Sequence, residues 1–274
     1  MNKLNIMKNI FIISLVMVFA SCEKVIDIDL NSSDPQIIVE AVMSDTISEK
    51  AEVRLSRSVN FSETNTFPAV ANAVVTITDL TDNKIDTLKE SVAGLYKSNK
   101  LSGQEGHNYL LTVKTDGKTL TSTAAIPRKV KFDSIEVRGQ AFFGSINYQL
   151  IPKFIDPKGI GDNYRFVLYI NGKLKDDILV FNDELVDGNP NGRPLNRGRN
   201  SDSTENIRIG DRIDLEMHCI DKGVYDYFNT LRARGGGGPG GGGATPANAI
   251  TNIKGGALGY FAPYTKQRKS AVVK

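Results

Sequence analysis

Short alternating runs, spaced regularly along residues 36–126, constrain the fold of this chain more than any other feature. The clearest is KAEVRLSR (50–57), in which Ala51, Val53 and Leu55 alternate with polar side chains. A period of two places successive side chains on opposite faces of a strand, one buried and one wet. Similar runs occupy residues 36–43, 72–79, 84–88, 94–99, 107–114 and 118–126. Seven short strands without a helical period predict a mainly β fold that begins with a β-sandwich.

Strand-like runs continue through the second half of the chain, over residues 131–139, 144–154, 163–172, 177–185 and 207–220. The run 163–172 ends in Asn171-Gly172, a strong signal for a two-residue hairpin turn. We therefore expect residues 177–185 to pair with it. The segment 249–274 is expected to form a strand, a bend that glycine permits and a last strand.

One helix is expected after the signal segment, over residues 222–234. Asp221 is a favourable N-cap residue. Val224, Tyr227, Phe228 and Leu231 follow it at helical spacing. A glycine-rich loop at 235–243 ends the helix and serves as a flexible segment. The predicted organisation after residue 35 is a β-sandwich (36–128) followed by a mainly β C-terminal domain (129–274).

The N-terminus resembles a bacterial lipoprotein signal. Lys3 and Lys8 precede an apolar run at 10–20, which is shorter than the roughly 20 residues that span a bilayer. The run ends in Phe19-Ala20-Ser21-Cys22, the pattern of a lipobox. We predict that residues 1–21 are a signal peptide cleaved before Cys22 and that the Cys22 thiol is acylated. Residues 22–35 then form a lipidated tether, and the attached chains hold the protein on a membrane. The alternative is an ordinary signal peptide with a cysteine there by chance.

Charge and cysteine content exclude several classes of function. Removing Lys3 and Lys8 from 34 basic side chains leaves 32 against 31 acidic ones. This balance argues against a nucleic-acid partner. Once Cys22 is acylated, Cys219 remains alone, so neither an internal disulfide nor a thiolate metal cluster is expected. A buried packing role is expected for Cys219.

Catalytic signatures are weak. The chain has two histidines, His107 and His218, each in a strand-like run where a packed or surface role is favoured. It has neither a G-x-S-x-G elbow nor a P-loop, and two separated histidines do not make a zinc site. We expect no catalytic residues, no cofactor and no metal. The leading hypothesis is therefore a protein that is not an enzyme.

Three groups of side chains suggest ligand sites, and each also has a plainer structural explanation. Oxygen ligands for Ca²⁺ are available from Asp183, Glu184, Asp187, Asn189 and Asn191, but the favoured interpretation of these residues is a solvated acidic turn. An anion or glycan site is suggested by Arg193, Arg197, Arg199, Arg208 and Arg212, against pairing with interleaved carboxylates. Sugar stacking is suggested by Tyr225, Tyr227, Tyr260 and Tyr264, against packing around the helix.

Six motifs in order carry a resemblance to a known family. They are the lipobox, IDIDL (26–30), QIIVEAVMS (36–44), GHNYLLTV (106–113), and then VYDYFNTL (224–231) with NIKGGALGYFAPY (252–264). Together they resemble the Bacteroidota outer-membrane lipoproteins known as domain of unknown function 4249. The resemblance implies an immunoglobulin- or transthyretin-like first domain, a mainly β second domain, a setting beside TonB-dependent transporters and no catalytic residues.

The suspected lineage also suggests O-glycosylation, because its acceptor sites are an Asp followed by Ser or Thr. Sites of this kind are Thr46, Thr87, Ser134 and Ser203. Short Asp-Ser/Thr turns are common without any glycan.

The favoured function is that of an outer-membrane lipoprotein that helps to capture or admit a nutrient. Its expected partner is a TonB-dependent β-barrel, and its small-molecule or glycan ligand is unidentified. The outer face of that membrane is favoured over the periplasmic face. A stand-alone structural or adhesive module is the first alternative. A glycan or peptide hydrolase, with two carboxyl groups roughly 5–9 Å apart, is the second.

Overall fold

The computed structural model describes residues 34–60, 66–142, 145–195, 207–235 and 248–274. Its strands in the first half are β1 Ile37–Ser44, β2 Glu52–Arg57, β3 Val74–Asp79, β4 Lys84–Thr87, β5 Lys89–Val92, β6 Leu95–Lys97, β7 Asn108–Thr115 and β8 Lys118–Ala125. Those in the second half are β9 Ser134–Phe142, β10 Ser145–Lys153, β11 Asn163–Ile170, β12 Lys173–Leu174, β13 Leu179–Asn182, β14 Arg212–Ile220 and β15 Leu258–Val272. The described helix, α1, is Lys222–Gly235. The fold is mainly β, as predicted.

A nine-stranded sheet forms the centre of the molecule, with the order β12-β11-β14-β15-β1-β2-β6-β5 and β13 paired to β11. Strand β15 joins its two halves, since it is parallel to β1 through Leu258–Tyr264 and antiparallel to β14 through Tyr264–Val272. The sheet therefore continues across the domain boundary that the sequence suggested near residue 128, and all the described strands belong to one compact unit.

The junction between β1 and β15 requires glycine. Gly259 has a φ of +100°. A Cβ atom there would lie 1.9 Å from the carbonyl oxygen of Val39. A side chain at this position would push the two strands apart. The close approach of β1 to β15 therefore requires glycine at position 259.

Two hydrophobic clusters hold sheets against each other. The first joins side chains of the central sheet, such as Val39 and Leu55, to those of a four-stranded sheet β4-β3-β7-β8, such as Ile77 and Leu111. The second joins the β9-β10 hairpin to β11 and β14, through residues that include Phe132, Leu150, Phe166, Leu215, Met217 and Cys219. Each sheet thus buries one alternating face, which is what the period of two predicts.

Local turn signals are confirmed. Asn171 and Gly172 have φ values of 51° and 78°, as a type I′ hairpin turn requires, and they connect β11 to β12. Strand β13 pairs with the other half of β11, in agreement with the predicted partner of that run. Asp221 caps α1, because its Oδ1 accepts the Val224 N–H at 2.9 Å.

The strand expected just before Gly255 is wrong. Residues 249–253 are irregular, and the side chain of Asn252 makes the hydrogen bonds that a neighbouring strand would make. Its Oδ1 accepts the Phe261 N–H at 2.9 Å, and its Nδ2 donates to the Phe261 carbonyl at 2.8 Å. The bend follows at Gly255 and Gly256, with φ values of 101° and 81°. No helix among the described residues is long and apolar enough to cross a bilayer.

Candidate functional site

Strand β14 is buried from Ile213 to Ile220, although three of these eight side chains are charged or polar. Its odd-numbered residues point into the hydrophobic cluster beneath the β9-β10 hairpin. Its even-numbered residues lie on the opposite side of the sheet and include two carboxylates, Asp214 and Glu216, and one histidine, His218. We call this side the polar face and define it by three cross-strand rows: Arg165-His218-Lys266, Val167-Glu216-Arg268 and Tyr169-Asp214-Ser270.

Glu216 is the centre of the charge network on the polar face. Its Oε1 lies 3.1 Å from the Lys266 Nζ, and its Oε2 lies 3.2 Å from the His218 Nε2. Burial raises the pKa of Glu216, but hydrogen bonds from His218 and Lys266 outweigh burial and lower it overall. Lys266 also pairs with Glu49 at 2.8 Å. Glu216 is therefore an ionised, fully engaged carboxylate.

His218 is a neutral imidazole at physiological pH. It is 3% exposed, and burial lowers its pKa to about 4 against the opposing effect of Glu216. Its Nε2 faces a carboxylate, so Nε2 carries the proton and its N–H donates a hydrogen bond to Glu216. Its ring stacks on Tyr264 with centroids 4.1 Å apart. Of the packed and surface roles expected for His218, the structure shows the packed one. Its charged neighbours are Glu216 on its own strand, Arg165 on β11 and Lys266 on β15.

A cavity of about 360 Å³ opens on the polar face. Its walls include Phe228 of α1 and the 174–178 segment, and its floor includes Arg165, Glu216, His218, Tyr264 and Lys266. The guanidinium of Arg165 lies 4.4 Å from the ring centroid of Phe228. Among the described residues Arg165 has neither a hydrogen bond nor an ion pair, so its donors are available to a ligand.

Sequence reasoning missed this site for a physical reason. The run Asp214-Leu-Glu216-Met-His218 does contain a signal, because charged residues at a spacing of two within a strongly strand-like segment indicate a face that needs partners. The partners are Arg165, Lys266 and Arg268. These residues are distant in sequence, and only strand register brings them together.

The suggested Ca²⁺ ligands do not gather around one point. Asp183 is 1% exposed, so the interpretation of a solvated acidic turn is wrong for this residue. Its Oδ2 accepts the N–H groups of Gly161 and Asp162 at 2.7 and 2.9 Å. Asp187 instead accepts the Gly159 N–H, and the Asn191 side chain donates to the Pro152 carbonyl. Asp183 is brought close to Asp156 and Asp162, which the sequence did not single out.

The suggested arginine and tyrosine groups have mostly structural positions. Arg193 lies over the Phe181 ring, 5.4 Å from its centroid, and Arg212 pairs with Asp214 at 3.2 Å. Tyr227 and Tyr260 pack together beside α1 with centroids 4.9 Å apart, so packing around the helix is confirmed for them. Tyr264 lines the cavity. Arg197 and Arg199 lie outside the described residues.

The suggested modification sites are placed as follows. Thr87 and Ser134 are exposed on β4 and at the start of β9, and Thr46 is half-buried in the segment after β1. Ser203 and the lipidation site Cys22 lie outside the described residues. Glycosylation and acylation stay predictions. Cys219, by contrast, is buried as expected, with its Sγ 3.4 Å from the Val130 backbone nitrogen.

The fold and the site together define a mainly β protein whose central sheet carries a charged face with a ligand-sized cavity. The family model described as "Domain of unknown function (DUF4249)" matches residues 23–270. Because this match covers nearly the whole chain, the protein belongs to that family. A comparison with curated proteins finds no match.

Proposed function

We propose that this protein is a lipid-anchored, non-enzymatic binding component of the bacterial outer membrane that works beside a TonB-dependent transporter. The observation that carries the binding role is the cavity of about 360 Å³ on the polar face, with Arg165 unpaired among the described residues. Ligand sites in proteins commonly have volumes of about 300–1,000 Å³, apolar or aromatic walls and a few polar groups that orient the ligand.

The cavity suits a small polar ligand that presents an anionic or strongly accepting group to Arg165. A guanidinium offers donors in a planar fork that matches a carboxylate or phosphate. The rings of Phe228 and Tyr264 line the cavity and provide apolar contact. Lys266 is already neutralised by Glu216 and Glu49, so Arg165 is the group that selects the ligand's charge.

The chemistry of the cavity supports binding rather than hydrolysis. A general acid needs a carboxyl group with a raised pKa. The pKa of Glu216 is lowered instead, and its oxygens are occupied by Lys266 and His218. A glycan or peptide hydrolase would have to use Asp176 and Asp177 at the edge of the cavity, and it remains the minor alternative.

The proposed location rests on the lipobox. Acylation of Cys22 would hold the described unit at the membrane through the tether of residues 22–35. The outer face of the outer membrane is the proposed side, since the family resemblance implies a setting where nutrients enter through TonB-dependent barrels. A stand-alone adhesive module would share the anchor and the fold but would lack the barrel.

Purification from detergent-solubilised outer membranes tests the partner. A C-terminally tagged chain is expected to recover a β-barrel transporter in stoichiometric amount, identified by mass spectrometry. The Cys22→Ala variant is expected to leave the membrane fraction and lose the barrel. Recovery of the membrane-bound protein without any barrel would overturn the accessory role and favour the stand-alone module.

Retention of a small molecule tests the cavity. Native mass spectrometry of the purified chain is expected to show a bound small-molecule mass that disappears in Arg165→Met, which keeps most of the side-chain volume but removes the charge. Lys173→Met, on the exposed strand β12, is the matched control and is expected to retain the ligand. Equal retention by both variants would show that Arg165 does not select the ligand.

A further inference from the structure

Three aspartates converge at the end of the central sheet nearest β13. Asp156 lies in the segment after β10, Asp162 directly precedes β11, and Asp183 directly follows β13. One carboxylate oxygen from each lies within 4.8 Å of those from the other two. Asp156 and Asp183 are each 1% exposed, and the side chain of Asp162 is 14% exposed. The group is therefore a largely buried concentration of negative charge.

The ion pair and hydrogen bonds of these carboxylates leave part of their negative charge unbalanced and one oxygen without a hydrogen-bond partner. Asp183 Oδ2 accepts two backbone N–H groups, and Asp162 forms an ion pair with Arg128 at 2.5 Å. Arg128 is the one cation within ion-pair distance of the three among the described residues. Asp156 Oδ1 accepts the hydroxyl hydrogen of Tyr164. Asp156 Oδ2 is buried and has no hydrogen-bond partner among the described residues.

The buried orphan oxygen is the observation that distinguishes this group from an ordinary acidic cluster. An ionised carboxylate without a partner is strongly disfavoured inside a protein. Burial raises the pKa of Asp156, and the negative charges of Asp162 and Asp183 raise it further. The Gly188 N–H acts to lower the pKa of Asp156, but it does not form a well-aligned hydrogen bond to Oδ2. A bound cation would supply the missing partner.

A second group of the same size serves as an internal comparison. Asp79, Asp82 and His107 also bring ligand atoms within 4.8 Å of one another. There, however, Asp79 Oδ2 lies 2.8 Å from His107 Nδ1, and its Oδ1 accepts the N–H groups of Thr81 and Asp82. Burial raises the pKa of Asp79, but these hydrogen bonds lower it overall. That group is already satisfied and needs no ion.

We propose that Asp156, Asp162 and Asp183 bind one Ca²⁺ ion. Ca²⁺ takes oxygen ligands at about 2.3–2.6 Å, so two oxygens on the same ion lie no more than about 5 Å apart, as these do. After pairing with Arg128, the three carboxylates retain a charge of −2, which a divalent cation balances. Mg²⁺ demands a tighter octahedron and sheds water reluctantly, so Ca²⁺ is the better fit.

The ion would tie together two segments that are separate in sequence. It would fix the 154–162 loop to the 183–187 turn, at the edge where β13 pairs with β11. This site is independent of the cavity on the polar face, so its presence or absence leaves the proposed ligand-binding role untouched. Extracellular Ca²⁺ sites typically have weak affinities that match the high Ca²⁺ concentration outside cells.

The full chain, stripped of metal with a chelator, provides the test. Calorimetric titration with Ca²⁺ is expected to show one site, and the melting temperature is expected to rise. Mg²⁺ is expected to bind at least about tenfold more weakly. Tb³⁺, a luminescent substitute for Ca²⁺, is expected to emit on excitation of tyrosine, because Tyr164 contacts Asp156 and the chain has no tryptophan. Added Ca²⁺ is expected to quench that emission by displacement.

Two variants separate the specific site from general surface charge. Asp156→Asn is expected to lower Ca²⁺ affinity at least about tenfold, while its stability in chelator is retained, since it removes an uncompensated buried charge. Should that variant fail to fold, Asp162→Asn replaces it with the same expectation for affinity. Glu184→Gln removes an exposed charge one residue from Asp183 and is expected to bind as the unmodified chain does.

Two outcomes would overturn the proposal. One is an absence of Ca²⁺ heat, thermal shift and tyrosine-sensitised Tb³⁺ emission in the unmodified chain, which would mean that Asp156 is simply protonated. The other is equal weakening by Asp156→Asn and Glu184→Gln, which would mean that ions only collect at an acidic surface.

Discussion

The two sides of strand β14 are buried to the same degree by opposite means. On one side Ile213, Leu215 and Met217 pack under the β9-β10 hairpin, each with no measurable exposure. On the other side Asp214, Glu216 and His218 are between 3% and 4% exposed, and they are surrounded by charges from β11 and β15. Burial alone thus does not tell a core from a site.

The two faces differ in the kind of interaction that stabilises them. Apolar contacts are nondirectional and gain stability from area removed from water. Charged groups must instead be matched one to one, because each buried charge without a partner carries a large desolvation cost. The apolar side therefore holds the sheet together, while the polar side holds a defined electrostatic arrangement around the cavity.

The largest expected effect is on the apolar side. Met217→Ala removes a fully buried side chain from the second hydrophobic cluster. We expect it to lower the free energy of unfolding by about 2–5 kcal/mol, since the cavity left behind adds to the lost transfer energy. Urea denaturation followed by circular dichroism measures this. A loss no larger than that of Arg268→Gln below would contradict the assignment of Met217 to the core.

Glu216→Gln breaks the polar side at its centre. It leaves Lys266 and His218 without their shared carboxylate. Breaking a fully buried pair costs about 3–5 kcal/mol, and we expect about 2 kcal/mol here because Lys266 remains 21% exposed. The same urea titration measures it. A variant as stable as the unmodified chain would mean that solvent screens the network.

The pH dependence of stability sharpens the comparison further. The folded-state pKa of His218 is about 4 against an ordinary value of 6.5, so the unfolded chain binds more protons between these values. Stability due to His218 is therefore complete above pH 6.5 and falls as the pH drops toward 4, by roughly 2–3 kcal/mol. Arg165 and Lys266 also disfavour its protonation, while Glu216 opposes them.

His218→Gln is the matched variant for that titration. We expect its stability to change less between pH 6.5 and pH 4 than that of the unmodified chain. Urea midpoints across this range measure the difference. Parallel curves for the two proteins would show that His218 titrates alike in the folded and unfolded states.

The smallest effect is expected at the rim of the polar face. Arg268 has a side chain that is 46% exposed, and it lies 3.4 Å from Asp214 and 3.6 Å from Glu216. Arg268→Gln is expected to cost about 0.5 kcal/mol, because exposed ion pairs are screened by water and salt. Unfolding at low and high salt measures it, and the difference from the unmodified chain is expected to shrink as salt is added.

Local signals in the sequence were sufficient for the elements themselves. Alternation predicted most of the strands, Asn171-Gly172 predicted a hairpin turn, and Asp221 predicted the start of α1, because each depends on neighbours within a few residues. The irregular 249–253 segment failed this reasoning. Its backbone partners are replaced by the side chain of Asn252, and no local pattern distinguishes that arrangement from a strand.

Patterns among near neighbours are thus enough to predict the mainly β class, the capped helix and the Asn171-Gly172 turn. The tertiary structure alone decided that β15 lies between β1 and β14, that Arg165, His218 and Lys266 form one row, and that Asp156, Asp162 and Asp183 meet. The physical reason is one of range. Backbone propensities act between near neighbours, whereas the register of distant strands emerges from the packing of whole faces, and electrostatic partners are set by that register.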